Sequence, residues 1–240
     1  MSDLIQGEVT YVDGADRDGG WIQTATGGQF WPTDPRAEEI MIEDVAHALS
    51  RINRFTGHIL PEFYTVAEHC CRVSDLLCAL YPGERRLHLE GLLHDAPEFS
   101  ISDLNTPLKR DPLLRGYKLI EERIRLAFAE RFGLPAEPDP RVKEADLVLL
   151  ATEQRDVMAS SRHAWKLSCD PLREIIYSWS PTRAKREFLR RYMRLVTAHA
   201  RCTDCGAKMD SGGEAFVRAA RLPDKPGACP ACDSPYSVSY

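Results

Sequence analysis

The chain has 240 residues, of which 43% are hydrophobic and 28% charged, the composition of a globular protein with one large core and room for a small extra module. Its net charge of −5 excludes a global positive field and argues against nucleic acid as a partner. No apolar run approaches the roughly 18 residues of a membrane helix, and the start MSDLIQGEVTYVDG lacks the order of an export signal. We therefore expect a cytoplasmic protein with no membrane partner.

Residues 1–34 have the character of a small β-rich cap. Two short runs, GEVTYV and WIQTAT, are β-compatible, and the glycine-rich stretches DGG and TGGQF favour turns. We predict a small hairpin in this part of the chain.

Residues 35–200 have the pattern of an all-α domain. Apolar residues recur at three- and four-residue spacing, and prolines stand near the expected helix ends. The predicted helices cover residues 38–52, 63–81, 83–98, 112–133, 140–160 and 181–200. The predicted fold class is all-α, with the β-rich cap before the helical domain and a small module, residues 201–240, after it.

Four side chains on three predicted helices have the chemistry of one metal site: His69, His94, Asp95 and Asp146. Two imidazoles and two carboxylates form a mixed nitrogen and oxygen set that suits a divalent ion able to activate water. A single histidine on an apolar face is more often a hydrogen-bonded core residue than a ligand, so the argument depends on all four residues together. This combination favours a hydrolase.

Helical spacing places these candidates on interior faces. His69 shares a stripe with Val66, and Asp146 shares one with Val142. A carboxylate among apolar neighbours is costly unless it is paired or bound to metal. Glu153, on the same stripe as Asp146, has two interpretations: a partner of a metal ligand, or a solvated acid.

The third predicted helix carries another stripe. Leu87, Gly91, His94 and Glu98 stand at i, i+4, i+7 and i+11, and Gly91 would allow a second helix to approach closely. Glu98 would lie about one turn beyond His94 if the helix continues through Pro97.

The eight cysteines fall into two groups. One group forms two CxxC pairs separated by 23 residues, which is close to the spacing of a zinc ribbon with four thiolates. These predicted structural zinc ligands are Cys202, Cys205, Cys229 and Cys232. The other four are predicted to be small structural residues, mostly buried: Cys70, Cys71, Cys78 and Cys169.

The order H…HD…D, carried by TVAEH, LLHDAPE and KEADL, resembles the HD-domain metal-dependent phosphohydrolases. The blocks RINRFTGH, FYTVAEH, LLHDAPE and SDLNTPLKR are similar to the branch with bacterial 5′-deoxynucleotidases of the YfbR type and phage deoxynucleoside triphosphohydrolases. The resemblance runs from about Phe30 to Ala200. It implies an HD-type helical bundle with one catalytic divalent ion, whether Mn, Co, Mg, Zn or Fe. The implied ligands are His69, His94, Asp95 and Asp146.

The resemblance also implies roles for two acidic residues. Glu98 and Asp103 match positions that this branch uses in catalysis, which suggests proton transfer and orientation of water or phosphate. The alternative for Asp103 is an N-cap of the following turn.

Further matched or neighbouring residues concern the substrate. Arg54 and Phe55 match an arginine–aromatic pair: the guanidinium suits phosphate oxygens, and the ring offers a face to a sugar or base. Plain core packing is the alternative for Phe55. His58, in a predicted loop, could reach a phosphate or could be a surface residue, and Lys109 could supply local positive charge.

The expected function is metal-dependent hydrolysis of (deoxy)nucleotides by attack of water on phosphorus. A 5′-nucleotidase acting on deoxynucleoside monophosphates is preferred because few basic residues lie near the matched site. A triphosphohydrolase that releases triphosphate is the first alternative. A zinc-ribbon adaptor on a catalytically silent scaffold is the second, although residues 201–240 contain five basic and five acidic residues and so lack a net positive charge. A homo-oligomer is left open.

Overall fold

Helices dominate the protein, for which a computed structural model describes residues 17, 19–163 and 165–197. The eight α-helices of this part are α1 Ile42–Leu49, α2 Val66–Leu80, α3 Arg85–Leu93, α4 Glu98–Ile101, α5 Thr106–Lys109, α6 Arg115–Phe132, α7 Pro140–Asp156 and α8 Pro181–Thr197. Three 3-10 turns cover Ala37–Glu39, Arg54–Gly57 and Pro112–Leu114. The prediction of a mostly helical protein is confirmed.

A short hairpin precedes the helices. Strands β1 Ile22–Gln23 and β2 Gln29–Phe30 pair antiparallel, with Ile22 opposite Phe30. Phe30 is fully buried, and its ring lies 4.8 Å from that of Phe99 at α4. The hairpin is therefore anchored in the helical core. The predicted strand GEVTYV lies outside the described residues, as do the zinc-type residues Cys202, Cys205, Cys229 and Cys232.

The helix ends have identifiable causes. The Thr65 hydroxyl accepts a hydrogen bond from the Glu68 amide, so α2 begins at Val66 rather than at residue 63, because an N-cap residue itself lies outside the helix. Asp139 caps α7 ahead of Pro140, and Gly133, with a φ of 64°, ends α6. The predicted first helix was too long, since a 3-10 turn precedes α1 and Ser50 ends it.

The α2 helix runs through the centre of the fold and packs against α3, α7 and α8. It contributes to two apolar clusters, one shared with α1, α6 and α8 and the other shared with α7. The predicted close approach at Gly91 is confirmed, because a Cβ atom there would lie 2.4 Å from Leu77 Cδ1. Phe188 and Leu195 of α8 are buried.

Two further observations concern the whole described region. None of its helices combines the length and the apolar character that crossing a bilayer would require. Cys70 and Cys71 are buried free thiols, whereas Cys78 and Cys169 are half-buried free thiols.

Candidate metal centre

Three elements bring the predicted ligands together. His69 lies in the first turn of α2, His94 and Asp95 directly follow α3, and Asp146 lies in the second turn of α7. The predicted third helix, residues 83–98, was too long: α3 ends at Leu93 and the chain tightens into a turn. The amides of residues 96 and 98 bond the carbonyls three residues earlier, at 3.0 and 3.1 Å. This turn aims His94 and Asp95 towards α2.

The ligand atoms of His69, His94 and Asp95 form one compact cluster, within 4.8 Å of one another. The two Nε2 atoms are 3.2 Å apart. Asp95 Oδ2 lies 3.3 Å from His94 Nε2 and 3.7 Å from His69 Nε2. The His69 side chain is fully buried, whereas that of Asp95 is 25% exposed. The cluster is therefore anchored by a buried histidine and accessible to solvent at Asp95.

Hydrogen bonds determine which imidazole nitrogens are free. His94 Nδ1 lies 2.8 Å from the Gly91 carbonyl, which can only accept, so this nitrogen carries the hydrogen. His69 Nδ1 similarly donates to Glu153 Oε1. Both Nε2 atoms then present lone pairs to each other, and these lone pairs repel unless a proton or a cation lies between them. The donor set fits a divalent cation, since Nε2 lone pairs and carboxylate oxygens converge on one point.

Local electrostatics agree with this geometry. Burial opposes protonation of His94, but the Asp95 carboxylate outweighs burial and raises the pKa of His94 well above its usual range. Burial is the largest single influence on Asp95 and would raise its pKa, but His94 and His69 together lower that pKa below its usual range. The cluster therefore attracts positive charge.

Asp146 lies beside the compact cluster rather than within it. Its Oδ1 atom is 3.2 Å from His69 Nε2, and its Oδ2 atom is 2.6 Å from Lys143 Nζ. Burial would raise the pKa of Asp146, but the hydrogen bond to His69 lowers it well below the usual range. Asp146 is thus an ionised carboxylate within reach of a cation at the histidines.

Glu153 supports the cluster through a hydrogen bond to His69. It is fully buried, so its alternative interpretation as a solvated acid was wrong. Its Oε1 atom accepts from Tyr64 Oη at 2.8 Å and from His69 Nδ1 at 2.5 Å, and its Oε2 atom is 3.1 Å from Arg54 Nη2. A carboxylate behind a histidine fixes the tautomer and the orientation of the ring, which is a common arrangement behind metal ligands.

Arg54 contacts both Glu153 and Asp95, the partly exposed member of the cluster. The residue is 8% exposed, and its Nη1 atom lies 3.4 Å from Asp95 Oδ2. Burial would lower the pKa of Arg54, but Glu153 and Asp95 outweigh burial and raise it. The guanidinium therefore stays charged, and several of its N–H groups already face the carboxylates of Glu153 and Asp95.

Glu98 and Asp103 form a second acidic group near the cluster. Burial, and then the charges of Asp95 and Asp103, raise the pKa of Glu98 well above its usual range. Burial also raises the pKa of the half-buried Asp103, against the opposing effect of Arg54. The alternative of Asp103 as an N-cap was wrong, because Asn105 caps α5. Within the described residues, Glu98 Oε2 is buried without a hydrogen-bond partner.

Lys109 is tied into this acidic group. Its Nζ atom lies 3.1 Å from Glu98 Oε1 and 2.8 Å from Glu121 Oε1, and 5.9 Å from the ring centre of Tyr117. Burial raises the pKa of Tyr117 to about 12, and its hydroxyl donates to the Ser102 carbonyl. Lys109 is therefore held in place rather than free in solvent.

The raised pKa of Glu98 gives a stability prediction for protein stripped of metal by a chelator. A carboxyl whose folded-state pKa exceeds the unfolded value contributes stability below the unfolded pKa, and that stability is lost as pH rises. The unsubstituted protein should therefore lose stability relative to Glu98→Gln as the pH rises. From about pH 5 to about pH 8, the difference in unfolding free energy between the two proteins should shift in favour of Glu98→Gln by more than about 1 kcal/mol. Urea denaturation at both pH values measures this, and parallel pH dependences would contradict it.

The remaining predicted substrate residues lie on the 3-10 turn Arg54–Gly57 and just after it. Phe55 packs partly against the second core cluster, as its core alternative predicted, but its ring also lies 5.2 Å from Arg54 Cζ. The structure leaves His58 exposed. Trp165 lies 5.9 Å from the Phe55 ring.

A cavity of about 280 Å³ reaches the cluster from the side of α6 and α7. One end is lined by His94, Asp95 and Asp146, and the walls include Leu134 and Pro138. The cluster is therefore open to small molecules from this side.

Sequence patterns had not singled out Tyr64, Glu121 or Trp165. Tyr64 is fully buried, and its place within the block FYTVAEH gave only the weak signal of a polar aromatic residue near a ligand. Glu121 and Trp165 carried no signal, because their contacts join distant segments of the chain.

No protein-family model matches the chain. It is 41% identical over 145 residues to the uncharacterized protein YfdR of Escherichia coli (strain K12), an alignment that covers 60% of this chain and 76% of YfdR. It is 36% identical over 147 residues to the uncharacterized protein RCAP_rcc00048 of Rhodobacter capsulatus, covering 59% of this chain and 74% of that protein.

Proposed function

This chain belongs to the family of the Escherichia coli protein YfdR, and we propose that it is a metal-dependent phosphohydrolase acting on nucleotides. The observation that carries the proposal is the pair of histidine Nε2 atoms that face each other at 3.2 Å beside Asp95. The order of the motif blocks, which resembles the HD-domain phosphohydrolases, supports the same function and an HD-type bundle over residues 35–200. We include a structural zinc at the four C-terminal cysteines in the proposal.

His69, His94 and Asp95 would hold the catalytic ion, with Asp146 beside them. A divalent ion bound there would supply Lewis-acid chemistry, which lowers the pKa of water and polarises a phosphate oxygen. The protein supports this role by fixing the His69 tautomer through Glu153.

The chain's own residues account for proton and charge movements. Attack of water on phosphorus forms a new P–O bond and breaks the ester bond, and the departing oxygen needs a proton. Glu98, whose raised pKa favours the protonated form, is suited to supply that proton. Asp103 is suited to orient the attacking water and to accept the proton that the water loses as the P–O bond forms, after which exchange with solvent restores both carboxyl groups. Arg54 is suited to offset the charge that develops on the phosphate.

The charges around the site favour a substrate with few phosphates. Arg54 is engaged by Glu153 and Asp95, and Lys109 by Glu98 and Glu121. Either cation can bind one phosphate group if it gives up a carboxylate partner, but the two together provide too few ion pairs for a polyphosphate chain. We therefore favour a deoxynucleoside 5′-monophosphate over a triphosphate.

A substrate panel tests this function. Protein supplied in turn with Mn, Co, Mg, Zn and Fe ions is mixed with ribo- and deoxynucleoside mono-, di- and triphosphates, and phosphate, pyrophosphate and triphosphate are separated among the products. We expect phosphate from deoxynucleoside monophosphates, and loss of activity on chelation that added metal restores. Release of triphosphate would favour the triphosphohydrolase alternative. No product from any nucleotide with any of these metals would refute the phosphohydrolase proposal.

A further inference from the structure

Two aromatic rings from distant parts of the chain meet beside the candidate metal centre. The Phe55 and Trp165 ring centres are 5.9 Å apart, and the ring planes are tilted by 41°. Trp165 is 42% exposed, although burying so large a ring would contribute favourably to folding. An exposed tryptophan in contact with a half-buried phenylalanine leaves aromatic surface available to a ligand.

The backbone under Phe55 is strained. Phe55 has φ 56° and ψ 31°, and Thr56 has φ 55° and ψ 30°, the left-handed region that residues other than glycine rarely occupy. Two hydrogen bonds hold this turn: Arg54 N to Tyr64 O at 2.9 Å, and His58 N to Phe55 O at 3.0 Å. Strain of this kind persists when surrounding structure enforces it, and it is concentrated at functional sites.

Arg54 links the rings to the cluster of ligand atoms. Its Cζ atom lies 5.2 Å from the Phe55 ring centre, and its Nη1 atom lies 3.4 Å from Asp95 Oδ2. The Phe55 ring and the Asp95 carboxylate thus both lie next to the Arg54 guanidinium. A ligand with a flat ring at one end and a phosphate at the other matches this order of groups.

We propose that Phe55 and Trp165 form a stacking platform for the base of the nucleotide, which makes Trp165 a specificity-determining residue. This inference rests on the phosphohydrolase function proposed above. Partial packing of Phe55 against the core fixes one ring of the platform. Stacking is tolerant of base identity because every base has a π-face, so the platform selects substrates that carry a base over bare sugar phosphates.

The test compares two substrates that differ only by the base: deoxyadenosine 5′-monophosphate and 2-deoxyribose 5-phosphate. We expect Trp165→Ala to raise KM for the nucleotide about 5- to 100-fold and to leave kcat/KM for the sugar phosphate unchanged. Trp165→Phe should retain most of the nucleotide affinity. Tyr177→Ala is the matched control, because Tyr177 is another exposed aromatic residue, at 77% exposure, between α7 and α8.

Two other results would overturn the platform. One is an equal effect of Trp165→Ala on both substrates, or none on either. The other concerns Pro138→Trp, which narrows the cavity beside the cluster. If this substitution raises KM for the nucleotide while Trp165→Ala leaves it unchanged, the base lies in that cavity and not on the platform.

Calorimetric titration with deoxyadenosine 5′-monophosphate separates failure of the platform from failure of the proposed function. If the protein binds the nucleotide but hydrolyses neither substrate, the phosphohydrolase function fails, and weaker binding by Trp165→Ala still supports the platform. Equal binding by Trp165→Ala and the unsubstituted protein, or no measurable binding by the latter, would overturn the platform.

Discussion

Replacing Asp95 with alanine should lower nucleotide hydrolysis by more than about 100-fold, because loss of a direct ligand should exceed the 10–100-fold cost of losing a residue behind one. Asp95 Oδ2 lies 3.3 and 3.7 Å from the two histidine Nε2 atoms, so its removal takes away a carboxylate that reaches both histidines. The fold should survive, since the Asp95 side chain is 25% exposed and Arg54 keeps Glu153 as a partner.

Metal content, circular dichroism and kcat/KM together measure this effect. Asp75→Ala is a matched control: Asp75 is also an aspartate paired with an arginine, with Oδ2 2.6 Å from Arg191 Nη2, but its pair lies on α2 and α8 away from the cluster. We expect that control to keep full activity and to lose at most about 1 kcal/mol of stability. Full activity in a His94→Ala, Asp95→Ala double variant would refute the catalytic assignment.

Helical periodicity predicted the parts of the site that lie on regular faces. His69 was expected on a buried stripe and is fully buried. Gly91 was expected at a close helix contact, and an added Cβ atom there would meet Leu77. Such positions are predictable because a helix repeats every 3.6 residues and its apolar face must be covered.

Contacts between distant segments could not be predicted in the same way. Glu153 shares its stripe with Asp146, which made it a candidate, but only the folded chain brings it against Tyr64 and Arg54. Trp165 lies in the irregular stretch between α7 and α8, where periodicity gives no direction. The end of α3 at Leu93 was missed because the chain turns tighter before it reaches Pro97.

Glu153→Gln should show how much metal binding depends on the carboxylate that bonds His69, because it leaves the ligand residues themselves unchanged. Glu153 uses Oε1 for Tyr64 and His69, and Oε2 for Arg54. Glutamine has one acceptor oxygen, so if that oxygen keeps the first two bonds, the amide NH₂ faces the guanidinium, where donor meets donor. We expect about 3 kcal/mol of lost stability, because a buried charge loses its partner, and a 10–100-fold loss of metal affinity, because the His69 ring is less well fixed.

Glu68→Gln provides the matched control for that variant. Glu68 is another fully buried glutamate with an arginine partner, since its Oε1 atom lies 2.7 Å from Arg72 Nη2, and its Oε2 atom accepts from the Trp179 amide. This substitution should also lower the thermal unfolding temperature but leave metal affinity unchanged, because Glu68 bonds neither histidine. Equal losses of metal affinity in both variants would mean that reduced stability alone is responsible. Unchanged affinity in Glu153→Gln would show that His69 needs no carboxylate behind it, and the role of Glu153 would then be confined to neutralising Arg54 in the core.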